Sequence, residues 1–217
     1  MPHAADNRTL KHGCIVMASG AGVRFGGNKL MAELCGEPLV GHVVRATDGL
    51  FDRRVVVTRH ADVAALCETL GAQVILHDEP CRNDTVRLGM EAMDGCDTVT
   101  FVQGDQPLIR PASIAALLRA AERDAVGAVG CDAAGSAVAR IWRTSFDGVP
   151  GAPVLFPSWA FDELRSLPRG KGGGFVAKMH AEYVRTIEVS SEWELFDVDT
   201  RDDLRQLQAH VARCGSA

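Results

Sequence analysis

Short β-branched apolar runs alternate along this chain with amphipathic stretches, the pattern of strands crossed over by helices. Residues 13–18, 54–58 (RVVVT), 73–77 and 97–103 (DTVTFVQ) read as buried strands. The stretches 38–47, 61–70, 84–93 and 111–123 read as the helices between them. In the last of these Ile114, Leu117 and Leu118 share one face. Strands are expected again over 125–131, 137–142 and 183–189, a short helix over 161–167, and a closing helix over 201–212 with Thr200 as N-cap. Residues 150–157 carry three prolines, which predicts an edge strand or a cleft-lining loop rather than a central strand. The alternation implies one three-layer α/β/α domain of Rossmann-like form over 13–213, with a mostly parallel mixed sheet behind a polar tail at 1–12.

Composition narrows the setting. A chain of 217 residues with 47% hydrophobic and 24% charged residues can bury a core, so disorder is excluded as the organising state. The net charge of -5 offers no general attraction for nucleic acid or an anionic membrane, so a polyanion would need a local site. The seven cysteines are odd in number and lack the two-residue gap of a zinc or redox motif, which predicts reduced, mostly buried thiols. No signal-peptide or membrane-span pattern is present, and a cytoplasmic protein is expected.

The densest chemical signal is residues 17–30, MASGAGVRFGGNKL. Four glycines, an arginine and a lysine follow an apolar strand at the edge where open α/β sheets bind ligands. Glycine lets backbone N–H groups approach phosphate oxygens, while Arg24 and Lys29 add charge. Two familiar motifs fail on spacing: a dinucleotide fingerprint from Gly20 meets Phe25 where glycine is needed, and a P-loop ending at Gly27 meets Asn28 where lysine is needed.

The loop resembles the opening signature L-A-A-G-x-S-x-R-M-G-x-x-K-L of the molybdenum-cofactor nucleotidyltransferases, the MobA-like NTP transferases. Ala18, Gly20, Arg24, Gly26, Lys29 and Leu30 match, whereas Ser19, Gly22 and Phe25 depart. Further along, Gly36-Glu37-Pro38-Leu39-Val40 is similar to the family's G-x-P-L helix start. Asn83-Asp84-Thr85-Val86 resembles its S-S-[LV] segment beside the nucleobase, with Thr85 at the second serine. Gly104-Asp105-Gln106-Pro107 matches G-D-[QM]-P at every position, and a strand-end carboxylate suits a hard cation. Asp197-Val198-Asp199-Thr200 resembles the D-[IV]-D-T ending of the cytidylyl branch, with Arg201 in place of proline. Either Asp197 or Asp199 is then the second metal carboxylate, and their alternation lets both face one side.

Two acceptor-side segments depart from the family. Pro150-Gly151-Ala152-Pro153 lacks the usual polar residue at Ala152, and Arg169-Gly170-Lys171-Gly172-Gly173-Gly174 lacks the acid and final arginine of G-D-[KR]-G-[AG]-R.

The resemblance implies a nucleotidyltransferase fold and an enzyme dependent on Mg²⁺, with Mn²⁺ as substitute. Ala18, Ser19, Gly20, Ala21, Gly22, Arg24, Lys29, Thr85, Gly104 and Asp105 would bind the nucleotide, and Arg24, Lys29 and Asp105 would carry catalysis. Asp105, Asp199 and Asp197 would hold metal; Gly151, Pro153 and Lys171 would hold the acceptor. The expected reaction transfers CMP from CTP to molybdopterin, for delivery to a target molybdoenzyme or its chaperone. CTP is favoured because Ser19 takes space beside the base and because of the D-V-D-T segment. The alternatives are a sister enzyme using GTP or a sugar or alcohol phosphate, and a non-catalytic cofactor-delivery protein suggested by the altered 169–174 loop.

Overall fold

The computed structural model describes residues 9–126 and 139–214. Its elements are β1 (His12–Ala18), β2 (Glu33–Leu34), β3 (Glu37–Pro38), α1 (Leu39–Ala46), β4 (Arg53–Thr58), α2 (Ala61–Thr69), β5 (Gln73–Leu76) and α3 (Arg82–Glu91). They continue with β6 (Thr98–Gln103), α4 (Pro111–Val126), β7 (Ile141–Phe146), β8 (Val149–Pro157), α5 (Phe161–Arg165), α6 (Gly173–Met179), β9 (Val184–Glu188) and α7 (Arg201–Cys214).

Seven strands form one sheet in the order β5-β4-β1-β6-β8-β7-β9, and β2 and β3 make a separate small hairpin. The β5, β4, β1 and β6 strands are mutually parallel; β8 runs antiparallel to β6 and β7, and β9 is parallel to β7. This is the expected mostly parallel mixed sheet. Side chains of β1 alternate between its faces, as strand geometry requires. Ile15 joins α3, α5 and α6 on one side, while Cys14 and Val16 join α1, α2 and α4 on the other. Each fully buried aliphatic side chain in these layers contributes about 1.5–3 kcal/mol relative to exposure. A Cβ on Gly89 would lie 2.7 Å from Ile15 Cγ2, so glycine is what lets α3 sit directly on β1.

Three expectations change. β8 is an interior strand, although it holds Pro150, Pro153 and Pro157. Pairing with β6 uses only residues 154–157, and pairing with β7 breaks register between Arg143 and Ser145, opposite Pro153. The prolines therefore sit at the strand's end, at the bulge or beyond β6, where a missing N–H does least harm. Residues 125 and 126 end α4 rather than open a strand, and 127–131 lie outside the described residues, as do 137 and 138. The glycine patch expected as loop runs directly into α6.

His12 is buried within β1, and Lys11 O accepts from Asp97 N, so the folded unit takes in residues just before the expected boundary at 13; residues 1–8 lie outside the described set. Cysteines 14, 35, 67, 81, 96 and 214 are free thiols, and burial pushes Cys67 up to about 11. No helix among the described residues is long and apolar enough to cross a membrane.

Candidate active site

The glycine loop leaves β1 and folds back on one carbonyl. Gly22 O accepts from the N–H groups of Phe25 and Gly26 at 3.0 Å and of Gly27 at 3.4 Å. Gly22 has φ +60°, and a Cβ there would stand 2.0 Å from Gly27 O, so the loop closes only around glycine. Phe25 is buried under the loop, and the Arg201 guanidinium lies 5.0 Å from its ring centre. These two residues, both departures from the family pattern, thus stack on one another. Asn28 caps the next turn through Leu30 N and is held by both oxygens of Asp62, which sets the direction of Lys29.

Lys29 is buried to 7% exposure, and its Nζ donates to Asp105 Oδ2 at 2.6 Å and to Asp199 Oδ1 at 2.7 Å. Arg24 reaches the other Asp199 oxygen at 2.7 Å. Burial pulls the Lys29 ammonium downward, but the two carboxylates outweigh it and hold Lys29 above its usual range. The hydrogen bond from Lys29 holds Asp199 below the usual carboxylate range, against its own desolvation.

Each carboxylate is placed by a local device. Gly104 N donates to Met17 O at 3.0 Å, and a Cβ on Gly104 would lie only 3.1 Å from that oxygen, so the end of β6 presses against β1 and brings Asp105 to Lys29. Val198 is fully buried and its N–H donates to Asp105 O, so Asp197 and Asp199 flank an anchored residue and both face the cleft. Thr200 and Asp203 cap α7 reciprocally, Asp203 Oδ2 accepting from Asp199 N and Thr200 N.

Two connected cavities meet here. One of about 340 Å³ is lined by Ser19, Gly20, Ala21, Lys29, Thr85 and Asp105, with Arg59, Cys81, Arg82, Gln103 and Asp199. Ala18 is fully buried just beneath, and Gly22 and Arg24 line an adjoining cleft with Lys29. Ser19 Oγ is held by Val57 O at 3.1 Å and His77 Nε2 at 2.9 Å. The second cavity, about 790 Å³, shares Arg82, Gln103, Asp105 and Asp199 with the first and adds Arg24, Asp197, Arg143 and Gly151.

Five carboxylates border this second cavity: Asp105, Asp197 and Asp199, whose charges act on one another, and Asp147 and Glu192. Asp197 is open to the cleft yet crowded on its inner side. That desolvation, then the charges of Asp105 and Asp199, push its carboxyl up to about 6. The excess of negative charge and the all-oxygen donor set suit a divalent cation. Among the described residues no group of three or more His, Cys, Asp or Glu forms a ready metal cage.

The expected acceptor residues do not all share one cavity. Gly151 lines the large one; Pro153 is buried and its carbonyl accepts from Thr144. Lys171 stands in a neighbouring cleft of about 660 Å³, its Nζ 5.9 Å from the Phe175 ring centre. That loop is fastened to the start of α3: Gly170 N donates to Asn83 Oδ1 at 2.9 Å and Arg169 Nε to Cys81 Sγ at 3.4 Å. Sequence reasoning missed Arg82, which borders all three spaces, and Arg143. Arg82 directly precedes the recognised 83–86 segment, and that adjacency was the available signal. Arg143 had none.

An open α/β sheet with a cationic glycine loop facing strand-end carboxylates has the layout of a polyphosphate-handling α/β protein. Residues 14–185 match the MobA-like NTP transferase domain, and the chain belongs to that family. It is similar to the 3-deoxy-manno-octulosonate cytidylyltransferase of Anaeromyxobacter sp. (strain Fw109-5), 40% identical over 114 residues, which are 50% of this chain and 46% of that protein. The chain thus spans about half the length of the curated relatives it matches. Its fold is shared with the crystal structure of an Rv0371c homolog from Mycobacterium sp. strain JC1, at TM-score 0.75 and 24% identity over 94% of this chain and 98% of that one. It is also shared with a manganese complex of Rv0371C from Mycobacterium tuberculosis H37Rv, at TM-score 0.69 and 20% identity over 93% and 99%. Molybdopterin-guanine dinucleotide biosynthesis protein A from Archaeoglobus fulgidus has it too, at TM-score 0.65 and 20% identity over 93% and 99%.

Proposed function

We propose that this protein is a divalent-metal-dependent nucleotidyltransferase that transfers CMP from CTP to the phosphate of a molybdopterin-like acceptor. The carrying observation is the convergence of Lys29, Asp105 and Asp199 at 2.6 and 2.7 Å where the two cavities join. The acceptor phosphate oxygen bonds to the α-phosphorus as the bond from that phosphorus to the β-phosphate bridging oxygen breaks, and pyrophosphate leaves. No side chain is needed as base, because a phosphate monoester is already ionised near neutral pH.

Such a transfer is accelerated chiefly by positioning and charge. The loop from Ser19 to Gly22 supplies backbone N–H donors to the triphosphate, and Lys29 and Arg24 offset the charge that grows on the leaving pyrophosphate. Asp105, with Asp199 and Asp197, would hold Mg²⁺ or Mn²⁺, which supplies Lewis-acid charge to the phosphate oxygens. Thr85, buried in the smaller cavity, faces the base, and Ser19 narrows that end against a purine. Release of pyrophosphate from CTP, GTP and UTP over a panel of acceptors tests the reading; silence with every pair in the presence of Mg²⁺ would sink it.

The similarity to a 3-deoxy-manno-octulosonate cytidylyltransferase supports a second acceptor class, a sugar acid, with the same nucleotide. An acceptor panel that includes sugar acids separates the two.

A further inference from the structure

Arg143 is a cation with no ion pair among the described residues. It stands on β7 where the pairing with β8 breaks register, a bulge of the kind that re-aims a side chain. Its Nε and Nη2 both donate to one neutral acceptor, Gly151 O, at 3.1 and 2.9 Å. Among the described residues no carboxylate forms an ion pair with it, although Asp147 and Glu192 line the same cavity. Burial alone, with no opposing charge, pulls the guanidinium below its usual range. Desolvating a cation without pairing it is unfavourable, and a planar guanidinium is suited to complete its shell with an oxyanion.

The surroundings fit a ligand that extends away from the transfer point. The cavity that holds Arg143 also holds Asp105, Asp197 and Asp199, and its wall includes the apolar groups Phe146, Val149 and Ala152. Val149 is 69% exposed, an apolar surface offered to that space. Gly151 matters twice: its carbonyl steadies Arg143, and a Cβ there would meet Leu195 Cδ1 at 2.9 Å.

We propose that Arg143 anchors a second anionic group of the acceptor, a carboxylate or a phosphate, distinct from the group that receives the nucleotidyl unit. The acceptor is then a two-ended anion with an apolar or planar middle. This rests on the proposed transferase reading for the direction of the ligand, but the anion site itself is testable apart from it.

Calorimetry compares alkyl phosphates of three to six carbons with the matching ω-carboxyalkyl phosphates and alkane diphosphates, with and without Mg²⁺ and α,β-methylene CTP. Wild-type protein should bind one of the two-ended series about tenfold or more tightly than the one-ended series, and which series does so identifies the second anion. Arg143→Gln should abolish the preference and Arg143→Lys should keep part of it, with the nucleotide analogue binding as in wild type. The unliganded melting temperature reports whether each variant folds, and Arg143→Lys carries the test if Arg143→Gln does not. Absence of a preference in wild type, or its survival in a folded Arg143→Gln, overturns the proposal. Failure of the wild type to bind the nucleotide analogue sinks the transferase reading instead.

Discussion

The two halves of the sheet are built on different principles. On the β5-β4-β1-β6 side all strands are parallel, and the chemical groups emerge from turns at strand ends: the glycine loop is closed by backbone contacts within a few residues of Gly22, and the turn after β6 is held by Met17 of the neighbouring strand. On the β8-β7-β9 side an antiparallel strand with three prolines interrupts the pattern, and the cavity is finished by side chains brought from distant segments. The first half is rigid by local geometry and its motif is correspondingly readable. The second holds the two segments, at Ala152 and at 169–174, that differ from the family signature. Under the proposed function, the first half would take the nucleotide and the second the acceptor.

The hardest test of the nucleotide half is Asp105→Asn. It should lower pyrophosphate release by about 10²–10³-fold, the scale seen when one preorganised charge-stabilising group is removed, and weaken divalent-ion binding in calorimetry. Normal turnover in this variant would remove Asp105 from the catalytic machinery, whereas a wild type that binds CTP but releases no pyrophosphate would favour the delivery reading. Next in size is Gly22→Ala, because the new Cβ meets backbone at 2.0 Å on a residue at φ +60°. Strain of about 1–3 kcal/mol is expected, read as a loss of CTP affinity of about fivefold or more.

Gly151→Ala sharpens the contrast from the other side. Its Cβ meets the tip of the Leu195 side chain, which can rotate away, so the acceptor KM should rise only about two- to fivefold. CTP affinity should not change. If Gly151→Ala proves as damaging to nucleotide binding as Gly22→Ala, the two halves are not separate in function.

The smallest effect concerns His77, whose imidazole is held below its ordinary value of 6.5, first by desolvation and then by Arg59. Between the folded value and 6.5 the unfolded chain binds more protons than the folded one, so this stabilisation is complete above 6.5 and is lost as pH falls. His77→Gln should flatten that slope in melting temperatures measured from pH 5 to 7.5. An unchanged slope would show that His77 is not the group responsible.

Much of the convergence at the β1–β6 edge was legible. Ala18 through Lys29, Thr85 and Asp105 form contiguous motifs, and the structure gathers them at one sheet edge because each follows a strand or starts a helix. Asp197 and Asp199 were indistinguishable by spacing; the fold separates them by giving Lys29 and Arg24 to Asp199 alone. Lys171 was given an acceptor role by the family resemblance; the fold sets it in the neighbouring cleft, just ahead of α6. The interior place of β8 was hidden because proline content says where a donor is missing, not which positions of a strand are paired.

The sequence by itself determined the alternation of strands and helices, the glycine-rich loop after β1 and the carboxylate at the end of β6, since these depend on side-chain period and on backbone freedom within a few residues. Only the tertiary structure decided that Lys29 joins carboxylates 76 and 170 residues away, that Arg201 covers Phe25, and that Arg143 lines the larger cavity. Those are long-range pairings, and the free energy that selects them comes from burying whole layers against one another, which no local stretch of sequence contains.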